Sequence, residues 1–484
     1  MRQRFVTPEN KKWWTLGAVA VGLFMIMLDN TVVNVALPSM RRSLHLSLSE
    51  LEWVVAGYAL TFAAFMLTGG KLADLLGRRR IFMAGLVIFT GASLACGLAP
   101  NGSFLIGSRV VQGLGGALIN PATLSIIAAT FPPRERGKAI GIWAGVSAMA
   151  LAIGPLVGGL LTEHVNWNWI FFINVPIGIA GLIAIPFLVD ETRDTSREQR
   201  PDVPGLVASA VGLFALTYAF IEANSYGWTS TRIVGSFVVA AVAIVAFVVL
   251  EQRQRLPMLD LALFRNRTFS GANTAMLFVG LAMFGTFFYV SLYMQNVLGY
   301  SPVQAGASFL PLTCLIIIIA PRAGKLSDRL GSRGLVGAGM TLLAIMLFYY
   351  SRLGEHASFY DLLPGLIIGG TGMALTMTPT TAAAMSSVPV DKAGVGSAVL
   401  NSMRQVGGSL GIAVMGAVVA SRAAAITAPA EVQKLAFLHG FHDALRIAAV
   451  LALAGAVVAT TMIRKAVHHH APAEAATPPA IEAA

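Results

Sequence analysis

Gly70-Lys71-Leu72-Ala73-Asp74-Leu75-Leu76-Gly77-Arg78-Arg79-Arg80 is a charged, glycine-flanked turn between two long apolar runs, residues 51–70 and 81–98. It returns 254 residues later as Gly324-Lys325-Leu326-Ser327-Asp328-Arg329-Leu330-Gly331-Ser332-Arg333, with seven of those ten positions identical. Identity at that level reads as an internal duplication. Each copy sits between two apolar segments, so both belong on the same side of a membrane. Membrane chains built from two related halves point to transport.

The composition supports a membrane. Of 484 residues, 56% are apolar and 12% charged, roughly half the charge density of a soluble domain. Mean hydropathy is +0.72. The two cysteines, Cys96 and Cys314, lie inside apolar runs and read as small packing residues. They provide no disulfide framework, and no metal site is expected. The first apolar run is too long for a signal peptide and carries Asp29 and Asn34, so it reads as the first span.

A crossing helix needs about 20 apolar residues. Fourteen segments qualify: 14–37, 51–72, 81–99, 103–130, 137–162, 168–189, 203–222, 232–251, 270–297, 304–324, 334–352, 361–387, 394–420 and 441–463. With both termini on one side, most of the 34 lysines and arginines collect there. The opposite side holds only Arg41, Arg42, Arg232, Arg352, Arg422 and Lys434, while Arg109, Arg404 and Arg446 fall within spans. Such a bias places both termini in the cytoplasm of a multi-pass protein of the cytoplasmic (inner) membrane. It also accounts for the net charge of +11 without nucleic acid as a partner.

The charged turn follows span 2 and then span 10. Two six-span halves alone would put the second copy after span 8, so two extra spans lie between the halves. The expected plan is a cytoplasmic N-terminus (1–13), a six-helix half (14–189), two linking helices (203–251), a second six-helix half (270–463) and a disordered cytoplasmic tail (464–484). His468–His470 reads as tail composition.

Four further stretches narrow the reading. They are Leu28-Asp29-Asn30-Thr31-Val32-Val33-Asn34-Val35-Ala36-Leu37-Pro38, Arg109-Val110-Val111-Gln112-Gly113-Leu114-Gly115-Gly116-Ala117, the segment from Gly145 to Gly159 with Gly154-Pro155 and Gly158-Gly159, and Trp167-Asn168-Trp169-Ile170-Phe171-Phe172-Ile173-Asn174-Val175-Pro176-Ile177-Gly178. With the charged turn, they resemble signatures of the major facilitator superfamily, in particular its fourteen-span drug:proton antiporter branch (EmrB/QacA type). The third stretch is similar to the antiporter signature. Asn168 stands where the branch usually has arginine. The resemblance implies an all-α integral membrane fold and no enzyme activity. It implies proton-coupled efflux of lipophilic, often cationic drugs or antiseptics by alternating access, with the proton gradient as energy source and no cofactor. An accessory membrane-fusion partner is expected if the cell is Gram-negative. An exporter dedicated to one native metabolite or antibiotic is the alternative, with an importer or uniporter behind it. A membrane-embedded enzyme or sensor is the rival from another class, and no catalytic constellation supports it. There is no Gly-x-x-x-x-Gly-Lys-Ser/Thr loop for ATP.

The same residues carry a reading of their own. A charge inside an apolar helix costs about 2.5–3.5 kcal/mol on insertion scales, so Asp29 either exchanges a proton or makes a structural hydrogen bond. Helical spacing puts Asp29, Asn30, Val33 and Asn34 on one arc of about 140°. Arg109 in span 4 cannot lose its proton and needs a carboxylate or carbonyls, with Asp29 one candidate. The resemblance implies a role for Arg109 in proton coupling. Glu222 reads first as an interfacial carboxylate, with proton coupling second. Asn30, Asn34, Tyr58, Gln112, Phe284, Phe288 and Tyr293 are the expected cavity residues, the span 9 aromatics also suiting lipid contact or packing. Gly70, Asp74, Gly77, Arg78, Arg79, Asp328 and Arg333 are expected to latch one conformation, or else only to set topology. Gly141, Gly145, Ala148 and Ala152 form a small-residue stripe. Gly145, Gly154, Pro155, Gly158 and Gly159 are read as a tight, bendable seam between the halves. Arg404-Gln405, and His439, His442, Asp443 and Arg446, read as satisfied polar patches.

Overall fold

The computed structural model describes residues 7, 10–193, 202–254, 257, 259–389, 392–422 and 429–464. The first six residues, most of the tail and His468–His470 lie outside them. Among the described residues all regular structure is helical, and fourteen helices are long and apolar enough to cross a membrane. The helices outrun the apolar intervals, because polar residues continue a helix past the hydrocarbon edge. The last begins at Ala430 rather than near residue 441.

The first group comprises α1 (Lys11–Leu44), α2 (Leu48–Leu76), α3 (Arg78–Gly97), α4 (Gly102–Thr130), α5 (Pro133–His164), α6 (Trp169–Phe172) and α7 (Asn174–Leu188). Here α2 and α3 pack on α4, and α1 packs on α5. Then come α8 (Val203–Tyr226) and α9 (Thr231–Arg253), which lie against each other. The remaining helices are α10 (Arg267–Asn296), α11 (Pro302–Ser308), α12 (Leu310–Leu330), α13 (Ser332–Tyr350), α14 (Phe359–Ser386), α15 (Ala393–Ser421) and α16 (Ala430–Met462). In this group α10 packs on α15 and α16, and α13 on α14 and α16. Between the groups, α2 meets α15, α5 meets α11 and α12, and α1 touches α10. The α8 helix reaches both α2 and α15.

Local chemistry sets the boundaries. Ser47 caps α2 in a reciprocal box with Glu50, Asn101 caps α4, and Asn266 caps α10. In both charged turns one glycine separates two helices. Gly77 has φ +114° and Gly331 has φ +82°, a left-handed conformation that a side chain resists. The duplicated sequence therefore makes a duplicated bend. Expected spans 6 and 10 are each two helices, broken at Ile173 and at Phe309. Pro176 and Pro311 lie just beyond those breaks, where their missing N–H groups are tolerated.

Candidate functional site

α1, α2 and α4 enclose a polar network in an otherwise apolar interior. Asp29 and Arg109 are both buried, at 0% and 1% exposure. Arg109 Nη1 donates to Asp29 Oδ2 at 2.6 Å and to Gln112 Oε1 at 2.6 Å. Gln112 Nε2 donates to Asp29 Oδ1 at 3.0 Å and to Ser93 Oγ at 2.9 Å. Arg109 Nε donates to the Val54 carbonyl at 3.0 Å, and the guanidinium lies 4.3 Å from the Tyr58 ring centroid. Ser93 Oγ donates to the Phe89 carbonyl, and Asn174 Nδ2 approaches Ser93 Oγ at 3.4 Å. The helical i,i+3 spacing of Arg109 and Gln112 puts both on one face, opposite Asp29. Both carboxylate oxygens are engaged, so the pair meets the conditions under which a buried ion pair persists. The arrangement can hold a charge, or pass a proton if Asp29 and Arg109 part.

Other expected residues are distributed differently. Asn30 and Asn34 are half-buried, and their amides bond back to the carbonyls of Ile26 and Asn30. Tyr58 and Gln112 belong to the buried network rather than to an open wall. Phe288 and Tyr293, expected to line a cavity, are fully buried. Tyr293 stacks on Phe441 at 4.9 Å and donates to the Gly354 carbonyl. Helical spacing alone does not say which side of α10 meets α16. Phe284 is half-buried, with Gly408 close against its ring.

The first charged turn is engaged within its own group. Arg78 Nε donates to Asp74 Oδ1 at 3.0 Å. Arg79 reaches the Val189 carbonyl and its N–H meets Glu191, whose carboxylate lies against Gly77. Gly70 sits beside Pro121. In the second copy Asp328 and Arg333 are exposed and make no ion pair among the described residues, while Ser327 and Ser332 share a hydroxyl contact at 2.7 Å. Lys392 Nζ bonds Asp260 Oδ2 at 2.6 Å, and this hydrogen bond holds the Asp260 carboxyl below the usual carboxylate range.

The expected seam divides. A Cβ on Gly154 would meet Thr31, and one on Gly158 the Val32 backbone, both on α1 of the same group. Gly159 faces Pro302 of α11 in the other group, and Gly306 of α11 faces the Pro155 carbonyl. Gly141 and Gly145 have nothing within 4 Å of a Cβ, so the stripe is open there, contrary to a seam beginning at Gly145. The Ala148 side chain lies outside the described residues. Cys96 is buried, but Cys314 is exposed on α12 rather than packed. Asn168 donates to the Gly97 carbonyl at 2.7 Å, tying α6 to the end of α3 without a charge. Asp443 pairs with Arg422 and Arg446, and His442 Nε2 bonds the Leu353 carbonyl.

The residue that sequence reasoning missed is Glu52 on α2, 2% exposed. Tyr289 Oη of α10 donates to its Oε1 at 2.7 Å. Glu222 accepts from Trp53 Nε1 at 3.2 Å, beside Glu52 rather than in open interface. The available signal was an acid one turn inside an apolar helix. It lay at the expected span boundary, where a charge looks ordinary.

Residues 19–412 match the family model described as the Major Facilitator Superfamily. The chain is 38% identical over 414 residues to the tetracenomycin C resistance and export protein of Streptomyces glaucescens, covering 86% of this chain and 77% of that one. It is 39% identical over 418 residues to the multidrug resistance protein Stp of Mycobacterium tuberculosis, with 86% and 77% covered. It is 36% identical over 465 residues to the puromycin resistance protein pur8 of Streptomyces alboniger, with 94% and 92% covered. Among solved structures, a bacterial homolog of the human lysosomal transporter Spinster, inward-facing and unoccupied, superposes with a TM-score of 0.65 at 18% identity, covering 94% of this chain and 98% of that one. That likeness is one of fold.

Proposed function

The chain belongs to the Major Facilitator Superfamily and is a fourteen-span transporter rather than an enzyme, and from that premise we propose that it exports lipophilic, often cationic drugs in exchange for protons. The buried Asp29–Arg109–Gln112 network carries this reading. Protonation of this carboxylate would free the guanidinium from its ionic partner. Changes of that size are what bias a two-state bundle. The two helix groups would rock as halves, with α8 and α9 as linking helices. The basic bias of the charged-turn side supports a cytoplasmic location for both termini in the cytoplasmic membrane. The proton gradient supplies the energy.

The similar proteins from Streptomyces and Mycobacterium are named for resistance, and the tetracenomycin C protein also for export. Because two of them are named for a single antibiotic, an exporter dedicated to one compound is the second reading. Inverted vesicles loaded across a panel of drugs, with and without an imposed pH gradient, test both. Export is expected to require the gradient in the wild type. Accumulation that ignores it, or runs out of the vesicle, overturns the antiport reading. Accumulation of one panel member alone selects the dedicated exporter.

A further inference from the structure

Glu52 is a buried carboxyl that the Asp29 network does not use. Two helices of the second group and one of the linking pair close around it near the end of the bundle opposite the charged turns. Tyr289 of α10 donates to Oε1. Gly416 of α15 approaches so closely that a Cβ there would collide with both carboxyl oxygens. From α8 the facing charged group is Glu222, a second acid. Among the described residues no cation pairs with Glu52. Ala56, Ile221 and Ala413, with Trp53 and Phe220 against them, form an apolar cluster one turn deeper. An ionised carboxylate here would meet an acid, a phenol and an apolar wall, with no countercharge. Separation of α2 from α10 and α15 would admit water and permit ionisation.

We propose that Glu52 is a proton-operated gate residue: neutral while this end of the bundle is closed, and losing its proton to water as that end opens. The step balances, with one carboxylic acid giving one carboxylate and one hydrated proton, and closure reverses it. Glu52 is then a positioning residue, distinct from the proton site proposed at Asp29. Its part in transport rests on the export reading above, but its titration does not.

The test uses the full chain in lipid nanodiscs, without drug. Spin labels at Ser49→Cys on α2 and Asn296→Cys on α10, on a Cys314→Ser background, report the separation at this end. In the wild type the open population is expected to grow as pH rises. Glu52→Gln, a permanently neutral isostere, is expected to lose that growth and stay closed. Glu222→Gln removes the neighbouring acid, so deprotonation becomes easier and the midpoint moves to lower pH. A pH-independent wild-type distance, or a Glu52→Gln midpoint equal to the wild-type one, overturns the proposal. An unmoved or upward midpoint in Glu222→Gln does the same. If vesicle export fails while the Glu52 titration is present, the export reading falls and the gate stands.

Discussion

Asp29 and Arg109 hold each other in the interior, and their substitutions should not be equivalent. Arg109→Ala leaves a buried carboxylate with only Gln112, a change of the kind that costs about 3–5 kcal/mol, so detergent-solubilised Arg109→Ala should melt well below the wild type. Asp29→Asn keeps an acceptor for the guanidinium, and Val54, Gln112 and Tyr58 stay in place. It should therefore insert and fold, yet lose drug movement driven by a pH gradient. Undiminished gradient-driven export in Asp29→Asn would remove the proton role. At the charged end, the Asp260 carboxyl is held low by Lys392. Its stabilisation is present above the ordinary aspartate range and is lost as pH falls through the depressed value. The pair is about one-third exposed, so Asp260→Asn should cost under about 1 kcal/mol near neutral pH and nothing in strong acid, which acid titration of thermal unfolding would show. Single charges inside apolar runs were readable because hydropathy isolates them. Phe288 and Tyr293 were misread because an apolar helix surrounded on all sides carries no signal of which neighbour each side chain meets.

At the scale of the helix, the two charged turns share a backbone but not their contacts. Gly77 and Gly331 make the same bend, and their sequence identity was sufficient to expect it. The partners differ, since Asp74 is bonded to Arg78 while Asp328 is exposed. Asp74→Ala should slow transport more than it weakens drug binding, because the turn lies at the helix ends, away from the interior. Asp328→Ala should be milder. Matched transport rates with equal or reversed effects would contradict that asymmetry. The breaks in spans 6 and 10 escaped the apolar count because a count of residues is blind to a change of helix axis. Pro176 and Pro311 were the available marks.

For the whole molecule, the offset between the duplicated turns was enough to expect two additional helices between related segments. The state of the bundle was not readable, because it depends on which faces meet across groups. Gly154 and Gly159 looked like one seam, yet they act on different contacts. Gly154 packs on α1 in its own group, so Gly154→Leu should lower stability by about 1–3 kcal/mol whatever state the transporter occupies. Gly159 packs on the backbone at Pro302 and Val303 of α11, across the groups. A leucine there wedges the two groups apart at the end opposite the charged turns. States of such a protein differ by a few kcal/mol, so a wedge of similar size should reverse their order. Gly159→Leu should therefore keep near-normal expression while trapping the opened form or leaking protons, and Gly145→Leu, with open space beside it, should do neither. Proton leak and drug export measured together in proteoliposomes separate the three variants. Normal leak and normal coupled export in Gly159→Leu would mean that the α5–α11 contact is packing without a gating role.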